Sequence, residues 1–304
     1  MSNTELPLVS IVTCTYQRQQ FFENLKNMVK AQDYPHNKLE WIIIDDTPGI
    51  DSSSQFPPDL DGITVKYIYL KTKIALARKR TLLNHKASGV YIVNMDDDDY
   101  YPPCRVSHAV ERLRASGKQL AGSSKMFMYF TKDGSIYQLG PYRENHGTAA
   151  TLAFTKEYTK THDFGHDNYA EEGVFTNEWQ TPMENLDPMK TVLALSHTNN
   201  TIEKTMFLDE RHGHVGRTVH ETKLVLDNFI DKDKESIVYD FYKGLKYEYK
   251  ENQYTREVME KMEKNTKESL EKYRQLTSEK MTQELALARD RYAKEMLFVH
   301  GIQV

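Results

Sequence analysis

Apolar runs and charged segments alternate with a regular beat along the first 120 residues. Leu8-Val9-Ser10-Ile11-Val12-Thr13-Cys14-Thr15-Tyr16 reads as a mostly buried first strand. Residues 19–32 then carry Phe22, Leu25, Met28 and Val29 at helical spacing. Trp41-Ile42-Ile43-Ile44 predicts a second buried strand, closed by the turn Asp45-Asp46-Thr47-Pro48-Gly49. Val65–Leu70 predicts a third. Residues 74–87, with Ile74, Leu76, Ala77, Leu82 and Leu83, predict a helix closed by Gly89. The strand from Tyr91 follows, then a helix over 104–116 (Val106, Ala109, Val110, Leu113) that Gly117 ends. Strand alternating with helix predicts an α/β fold: a mostly parallel sheet with helices on both faces.

The pattern changes after residue 120. Met126–Phe130, the turn Lys132-Asp133-Gly134 and Ile136–Leu139 predict a hairpin. Thr148–Phe154 reads as a small-residue strand, and Val192–Leu195 as another that ends at Ser196-His197. This half reads as more mixed or antiparallel, and it would supply the second wall of a cleft. Pro is absent after Pro188 and Gly is absent between Gly244 and Gly301. Residues 251–298 are rich in Glu, Lys, Arg, Met and Leu, with acids and bases in balance. They predict a long, salt-bridge-laced helix or helix pair. Met259, Met262, Thr266, Ser269, Tyr273 and Leu276 form a weak heptad-like stripe whose register lapses at Lys280. Two readings stand: helices packed on the domain, or an arm through which the chain forms a homo-oligomer.

Composition narrows the classes. The chain has 304 residues, a formal net charge of -4 and a pI near 6.3. No general nucleic-acid-binding surface is indicated. Cys14 and Cys104 are too few for a disulfide framework. The N-terminus lacks a signal-peptide pattern, and no apolar run approaches the ~20 residues of a membrane helix. The expectation is a soluble, cytoplasmic protein.

The candidate chemistry lies in Tyr91-Ile92-Val93-Asn94-Met95-Asp96-Asp97-Asp98-Asp99-Tyr100-Tyr101-Pro102-Pro103. A strand delivers four carboxylates to its C-terminal end, and the prolines prevent a regular continuation. Adjacent carboxylates repel, so they belong on a solvated loop or beside a cation. Strand C-terminal ends are where α/β sheets place their ligand crevices, which favours a metal site. The second strand also ends in acids, at Asp46.

Four segments, in order and in spacing, resemble the family 2 glycosyltransferases of the GT-A fold. Val9–Arg18 is similar to the family's opening strand with its Thr-Tyr-Asn-Arg ending, and Ile42–Thr47 to the strand that ends Asp-Asp-Gly-Ser. Ala77-Arg78-Lys79-Arg80 with Ala87–Ile92 resembles the Ala-Arg-Asn helix and Gly-Glu-Tyr-Ile strand. Asp96–Asp99 with Pro103 resembles Asp-X-Asp-Asp-X-X-X-Pro. Gln17 and Lys79 stand where the family has Asn, and Thr47-Pro48 where it has Gly-Ser. The resemblance covers roughly residues 8–200. It divides the chain into a domain at 1–217, with a nucleotide-binding half to about 103 and an acceptor and catalytic half from 104, and a helical extension at 218–304.

The resemblance implies a metal-dependent, inverting transfer of a sugar from a nucleotide-diphosphate sugar to a hydroxyl of a carbohydrate or glycoconjugate. It implies Mn²⁺ or Mg²⁺ on Asp98, with Asp96 toward the ribose or a metal-bound water and Asp97 in support. Counting from Pro102 instead shifts the metal-side acid to Asp97. Thr15, Tyr16, Asp46 and Arg78 would bind the donor nucleotide, and His197 would join the metal. Glu172 of the Glu171-Glu172 pair would be the general base, with Glu171 next and Asp163 and Asp167 in reserve. Arg211–Arg217, with His212 and His214, reads as a loop closing on the diphosphate, as a linker, or as another metal site. Two alternatives stand against this reading. A nucleotidyltransferase would show a Gly-rich basic loop where Thr15-Tyr16-Gln17-Arg18 stands. A non-catalytic module would bind through its helical tail.

Overall fold

A computed structural model describes residues 5–166, 171–208, 218–249 and 256. Its larger sheet is built on β1 (Val9–Thr15) and β2 (Leu39–Asp45), every residue of which is buried. Strands covered on both faces need apolar side chains on both, which explains why they read as continuous runs rather than alternating ones. Ile11, Trp41 and Ile43 point to one face and pack with α1 (Phe22–Lys30) through Phe22, Leu25, Met28 and Val29. Val12, Ile42 and Ile44 point to the other, toward Ala77 and Leu83 of α2 (Leu76–Lys86).

The sheet is completed by β3 (Asp59–Leu60), β4 (Ile63–Tyr69), β5 (Tyr91–Asn94), β6 (Leu120–Gly122), β9 (Ala153–Thr155) and β10 (Met183–Asn185). Its order is β10-β6-β9-β5-β1-β2-β4-β3. The run β5-β1-β2-β4 is parallel, whereas β9 lies antiparallel to β5 and β6. The chain runs outward from β1 through β2 to β4, then crosses back by α2 to place β5 on the other side of β1. The C-terminal ends of β1 and β5 therefore flank the point where the strand order reverses, the place of the ligand crevice in open α/β sheets. α3 (Arg105–Ser116) covers the sheet with Val106, Ala109, Val110 and Leu113 and ends at Gly117, whose φ of 67° suits a left-handed cap.

A smaller sheet has the order β11-β7-β8-β12, with β7 (Met126–Phe130) and β8 (Ile136–Leu139) forming the expected hairpin. β11 (Leu193–Ser196) lies parallel to β7, and a bridge between Tyr100 and Leu193 ties this sheet to the acidic run. Residues 148–154 depart from the expected strand. A 3-10 turn at Ala149–Thr151 precedes β9, because Thr151 turns its amide and hydroxyl back to the Thr148 carbonyl, both at 2.8 Å.

Residues 218–249, read from the sequence as the opening of a helical extension, begin with β12 (Val219–Glu221), antiparallel to β8. They continue to α5 (Ser236–Gly244), which packs on α1. Tyr242 of α5 donates to the Asp99 carbonyl at 2.9 Å. The heptad-like stripe, the oligomerisation arm, His212, His214 and Asp167 lie outside the described residues. Among the described residues no helix is long and apolar enough to cross a membrane.

Candidate active site

A cleft of about 680 Å³ opens at the C-terminal ends of β1 and β5. Thr15, Tyr16, Gln17 and Arg18 line one side, and Asp96, Asp97 and Asp98 another. α2 contributes Leu76, Lys79 and Arg80, and the turn after β11 contributes Thr198–Thr201. The cleft thus brings acids and bases together in a space the size of a small-molecule site.

The four acids have separate fates. Asp96 accepts two bonds from Arg80, Nη1 to Oδ1 at 3.0 Å and Nη2 to Oδ2 at 3.2 Å. Asp98 Oδ2 lies 3.0 Å from His197 Nε2, and accepts from Asn200 Nδ2 at 3.3 Å. Burial alone would raise the Asp98 carboxyl, but Arg18, His197 and Lys204 overturn that and hold it well below the usual carboxylate range. Asp97, one residue earlier, is pushed up to about 8 by burial and by the neighbouring Asp98 charge. Asp99 faces the fold. Its Oδ1 accepts the Leu195 N–H at 2.8 Å, and burial pushes it up to about 7. It is Asp98, and not Asp97, that meets His197.

His197 is 3% exposed and sits directly after β11. Asn200 Oδ1 accepts its backbone N–H at 2.6 Å, and Asn199 donates its N–H to Nδ1 at 3.2 Å. The turn therefore fixes the ring with Nε2 toward Asp98. Burial lowers its basicity, against the pull of Asp98. One carboxylate and one imidazole converging at 3.0 Å form a donor pair suited to a hard divalent cation. Among the described residues no three His, Cys, Asp or Glu side chains form a closed cage. The pair suits an open site, one that would leave further positions for ligand oxygens and water.

Two expected nucleotide contacts are placed elsewhere. Arg78 is exposed, on the outer side of α2. A helix turns about 100° per residue, so Lys79, Leu83, Arg80 and Asn84 fall between about 200° and 340° from Ala77, while Arg78 falls near 100°. The inward arc holds Lys79 and Arg80, both 5% exposed. Asp46 is fully buried behind the cleft wall. Its oxygens accept from Lys79 Nζ at 2.7 Å and from the Ile74 N–H at 2.9 Å. Lys79 also donates to the Thr15 carbonyl at 3.1 Å, so this pair ties the ends of β1, β2 and α2 together. Tyr16 does line the cleft, with Lys73 Nζ 4.2 Å from its ring centroid.

The Glu171-Glu172 pair opens α4 (Glu172–Phe175). Arg80 Nε donates to Glu171 Oε1 at 2.7 Å, so one guanidinium joins Glu171 to Asp96. Glu172 Oε1 accepts the Ala149 N–H at 3.0 Å, from the 3-10 turn that replaced the expected strand. Burial and the Glu171 charge push the Glu172 carboxyl up to about 8. Neither glutamate is among the cleft-lining residues; both are buried, and Arg80 joins Glu171 to the cleft. Asp163 is exposed and caps a turn by accepting the Gly165 N–H at 2.8 Å.

Arg18, Arg80 and Asn200 had no role assigned from sequence. The helical phase of α2 would have found Arg80. Asn200 carries no sequence signal, because it acts only through the turn that places it beside Asp98.

An α/β sheet with acids, a histidine and basic side chains gathered at the reversal of strand order defines the class. The description glycosyl transferase family 2 matches residues 10–168, just over half of the chain, which belongs to this family. TuaG of Bacillus subtilis (strain 168), a glycosyltransferase named for teichuronic acid biosynthesis, is 32% identical over 108 residues, covering 34% of this chain and 41% of its own. WcaA of Escherichia coli (strain K12), named for colanic acid biosynthesis, is 32% identical over 102 residues, covering 33% and 36%. The chain thus spans less than half the length of either relative. The crystal structure of S. aureus TarS 1–349 superposes with a TM-score of 0.50 at 12% identity, covering 96% of this chain and 80% of that one. The fold is GT-A.

Proposed function

We propose that this protein transfers a sugar from a nucleotide-diphosphate sugar to a hydroxyl of a carbohydrate or glycoconjugate, with inversion. One observation carries the reading: Asp98, which His197 and Asn200 hold from behind and beside, lines a cleft that Arg18, Lys79 and Arg80 also line. That arrangement suits a diphosphate with a divalent cation. The family relatives named for polysaccharide biosynthesis point to a glycan product.

Asp98 and His197 would hold Mn²⁺ or Mg²⁺, which when bound supplies neutralisation of the charge that builds on the departing diphosphate. Tyr16 would line the nucleotide, and Asp96, fixed by Arg80, would face its ribose. Thr15 and Asp97 line the same cleft. Inversion is a single displacement, so the acceptor hydroxyl must lose its proton as it attacks. Glu172 is our general base. Its raised affinity for a proton suits that task, whereas Glu171 is committed to Arg80. The Ala149 N–H orients the Glu172 carboxyl.

Thermal shift with nucleotide diphosphates and nucleotide sugars, with and without Mn²⁺, tests the reading. A ligand that binds the folded protein raises its stability by mass action. Mn²⁺-dependent stabilisation by one nucleotide, lost in the double variant D96A/D98A, is expected. Stabilisation that persists in that variant overturns the metal assignment. Formation of a sugar nucleotide from a sugar phosphate would favour a nucleotidyltransferase.

A further inference from the structure

Arg18 already occupies the place of a cation. Its residue is 9% exposed, and its guanidinium reaches acceptors on two elements. Nη2 lies 3.3 Å from Asp98 Oδ2 and Nε 3.8 Å from Asp97 Oδ1, while Nη1 donates to the Asn199 carbonyl. Asp98 Oδ2 is the same oxygen that meets His197 and Asn200.

We propose that Arg18 is a resident counter-cation, which a divalent metal must displace from Asp98 and which then turns to the donor diphosphate. The proposal rests on the metal-dependent reading above. Its first support is saturation. Asp98 Oδ2 faces Arg18, His197 and Asn200 at once, so a metal that takes this oxygen must displace one of the three. His197 and Asn200 are pinned to each other by the turn after β11. Arg18 is held by its side chain alone, at the end of a long flexible stem.

The second support is charge. A metal and a guanidinium on the same carboxylates repel, so each weakens the other. Once freed, the guanidinium's planar fork matches phosphate oxygens, and the diphosphate is the anion the cleft is built to receive. Arg18 thereby penalises metal alone and favours metal together with diphosphate. That is a positive coupling between two ligands, and it is reciprocal. The guanidinium also gives up the Asn199 carbonyl when it turns, while His197 and Asn200 keep the turn after β11 in place.

The test uses the full chain and Mn²⁺ alone, with free Mn²⁺ read by electron paramagnetic resonance. R18Q is expected to bind Mn²⁺ about tenfold more tightly than the native protein. R18K, which keeps the charge but loses the fork, should fall between. In saturating Mn²⁺, inorganic pyrophosphate should bind R18Q about tenfold more weakly. Equal Mn²⁺ affinity in R18Q, R18K and native protein, each with a native circular dichroism spectrum, overturns the displacement. Unchanged pyrophosphate affinity overturns the transfer of Arg18 to the diphosphate. D98N separates this idea from its foundation. If D98N abolishes Mn²⁺ binding while R18Q equals native, only the role of Arg18 fails. If D98N leaves Mn²⁺ binding intact, the metal site itself is misplaced.

Discussion

Arg80 and Glu171 are joined by a 2.7 Å hydrogen bond across 91 residues of sequence. The rest of the same guanidinium grips Asp96 through both carboxylate oxygens. Arg80 is thus the link between the cleft and the buried acidic pair. Removing it leaves Glu171 buried at 3% exposure without its ion pair. Arg80→Met should therefore lose about 3–5 kcal/mol of stability, as measured by urea unfolding. Arg80→Lys should recover only part of it, because an ammonium cannot serve two carboxylates through a planar fork. A loss below about 1 kcal/mol in the Met variant would show that the linkage is not structural.

Arg78 provides the opposite case. It is exposed while its neighbours Lys79 and Arg80 face inward. Arg78→Ala should leave nucleotide binding within about twofold and stability within about 0.5 kcal/mol, the usual range for an exposed position. Lys79→Met, which strands the fully buried Asp46, should be strongly destabilised. Thermal melts and nucleotide titrations of both variants decide. Impaired nucleotide binding in R78A with normal stability would return Arg78 to the cleft.

Much of the fold was legible because central parallel strands must be apolar on both faces, and β1, β2 and β5 have that pattern. The acidic run was legible as a site because a strand end and two prolines frame it. The one-residue register of its acids was not. Asp98 is selected by His197, which lies 99 residues away, and Asp99 is spent on Leu195. Asp46 and Arg78 lie off the cleft lining for a shared reason. Motif position places a residue near a site, but helix phase and pairing with Lys79 decide which groups face the cleft. The strand β12 was hidden because three residues, Val219–Glu221, carry too short a pattern to read.

Glu172 fixes the direction of the pH dependence. In the proposed role of general base it must be unprotonated, and its carboxyl is pushed up to about 8. Transfer, measured as kcat/KM with the preferred nucleotide sugar, should rise with pH and level off above about 8. Glu172→Gln should lower transfer by about 10²–10⁴-fold and remove that limb, while nucleotide affinity is retained. Native rates in E172Q would move the base to Glu171.

His146 sets an acid limit on stability. It is fully buried, stacked on Trp179 at 5.5 Å between ring centroids, and neither ring nitrogen has a hydrogen-bond partner among the described residues. Burial, with Arg143 adding to it, lowers its basicity to about 3, against an ordinary 6.5. Below pH 6.5 the unfolded chain takes up a proton that the folded chain refuses. Stability should therefore be lost as pH falls from about 6.5 toward 3, by up to a few kcal/mol at pH 4. His146→Phe keeps an aromatic ring beside Trp179 and should flatten this limb in urea titrations from pH 7 to 4. Parallel native and variant curves would assign the acid loss to other groups.

Asn200 is the side chain whose single change most directly tests how the site is held. Its Oδ1 accepts the His197 N–H at 2.6 Å and its Nδ2 reaches Asp98 at 3.3 Å, so it fixes both members of the donor pair without belonging to it. Groups that orient metal ligands in this way are worth about 10–100-fold in metal affinity. Asn200→Ala leaves the apolar packing of β11 intact and should cost little stability. It should weaken Mn²⁺-dependent nucleotide binding by about that factor, through a looser turn after β11. Asn200→Asp would still accept the His197 N–H but would set a second carboxylate against Asp98, so it should restore metal binding without restoring the native selectivity between Mn²⁺ and Mg²⁺. Calorimetric titration with each metal distinguishes these outcomes. Native Mn²⁺-dependent binding in N200A would mean that Asp98 and His197 hold their geometry unaided.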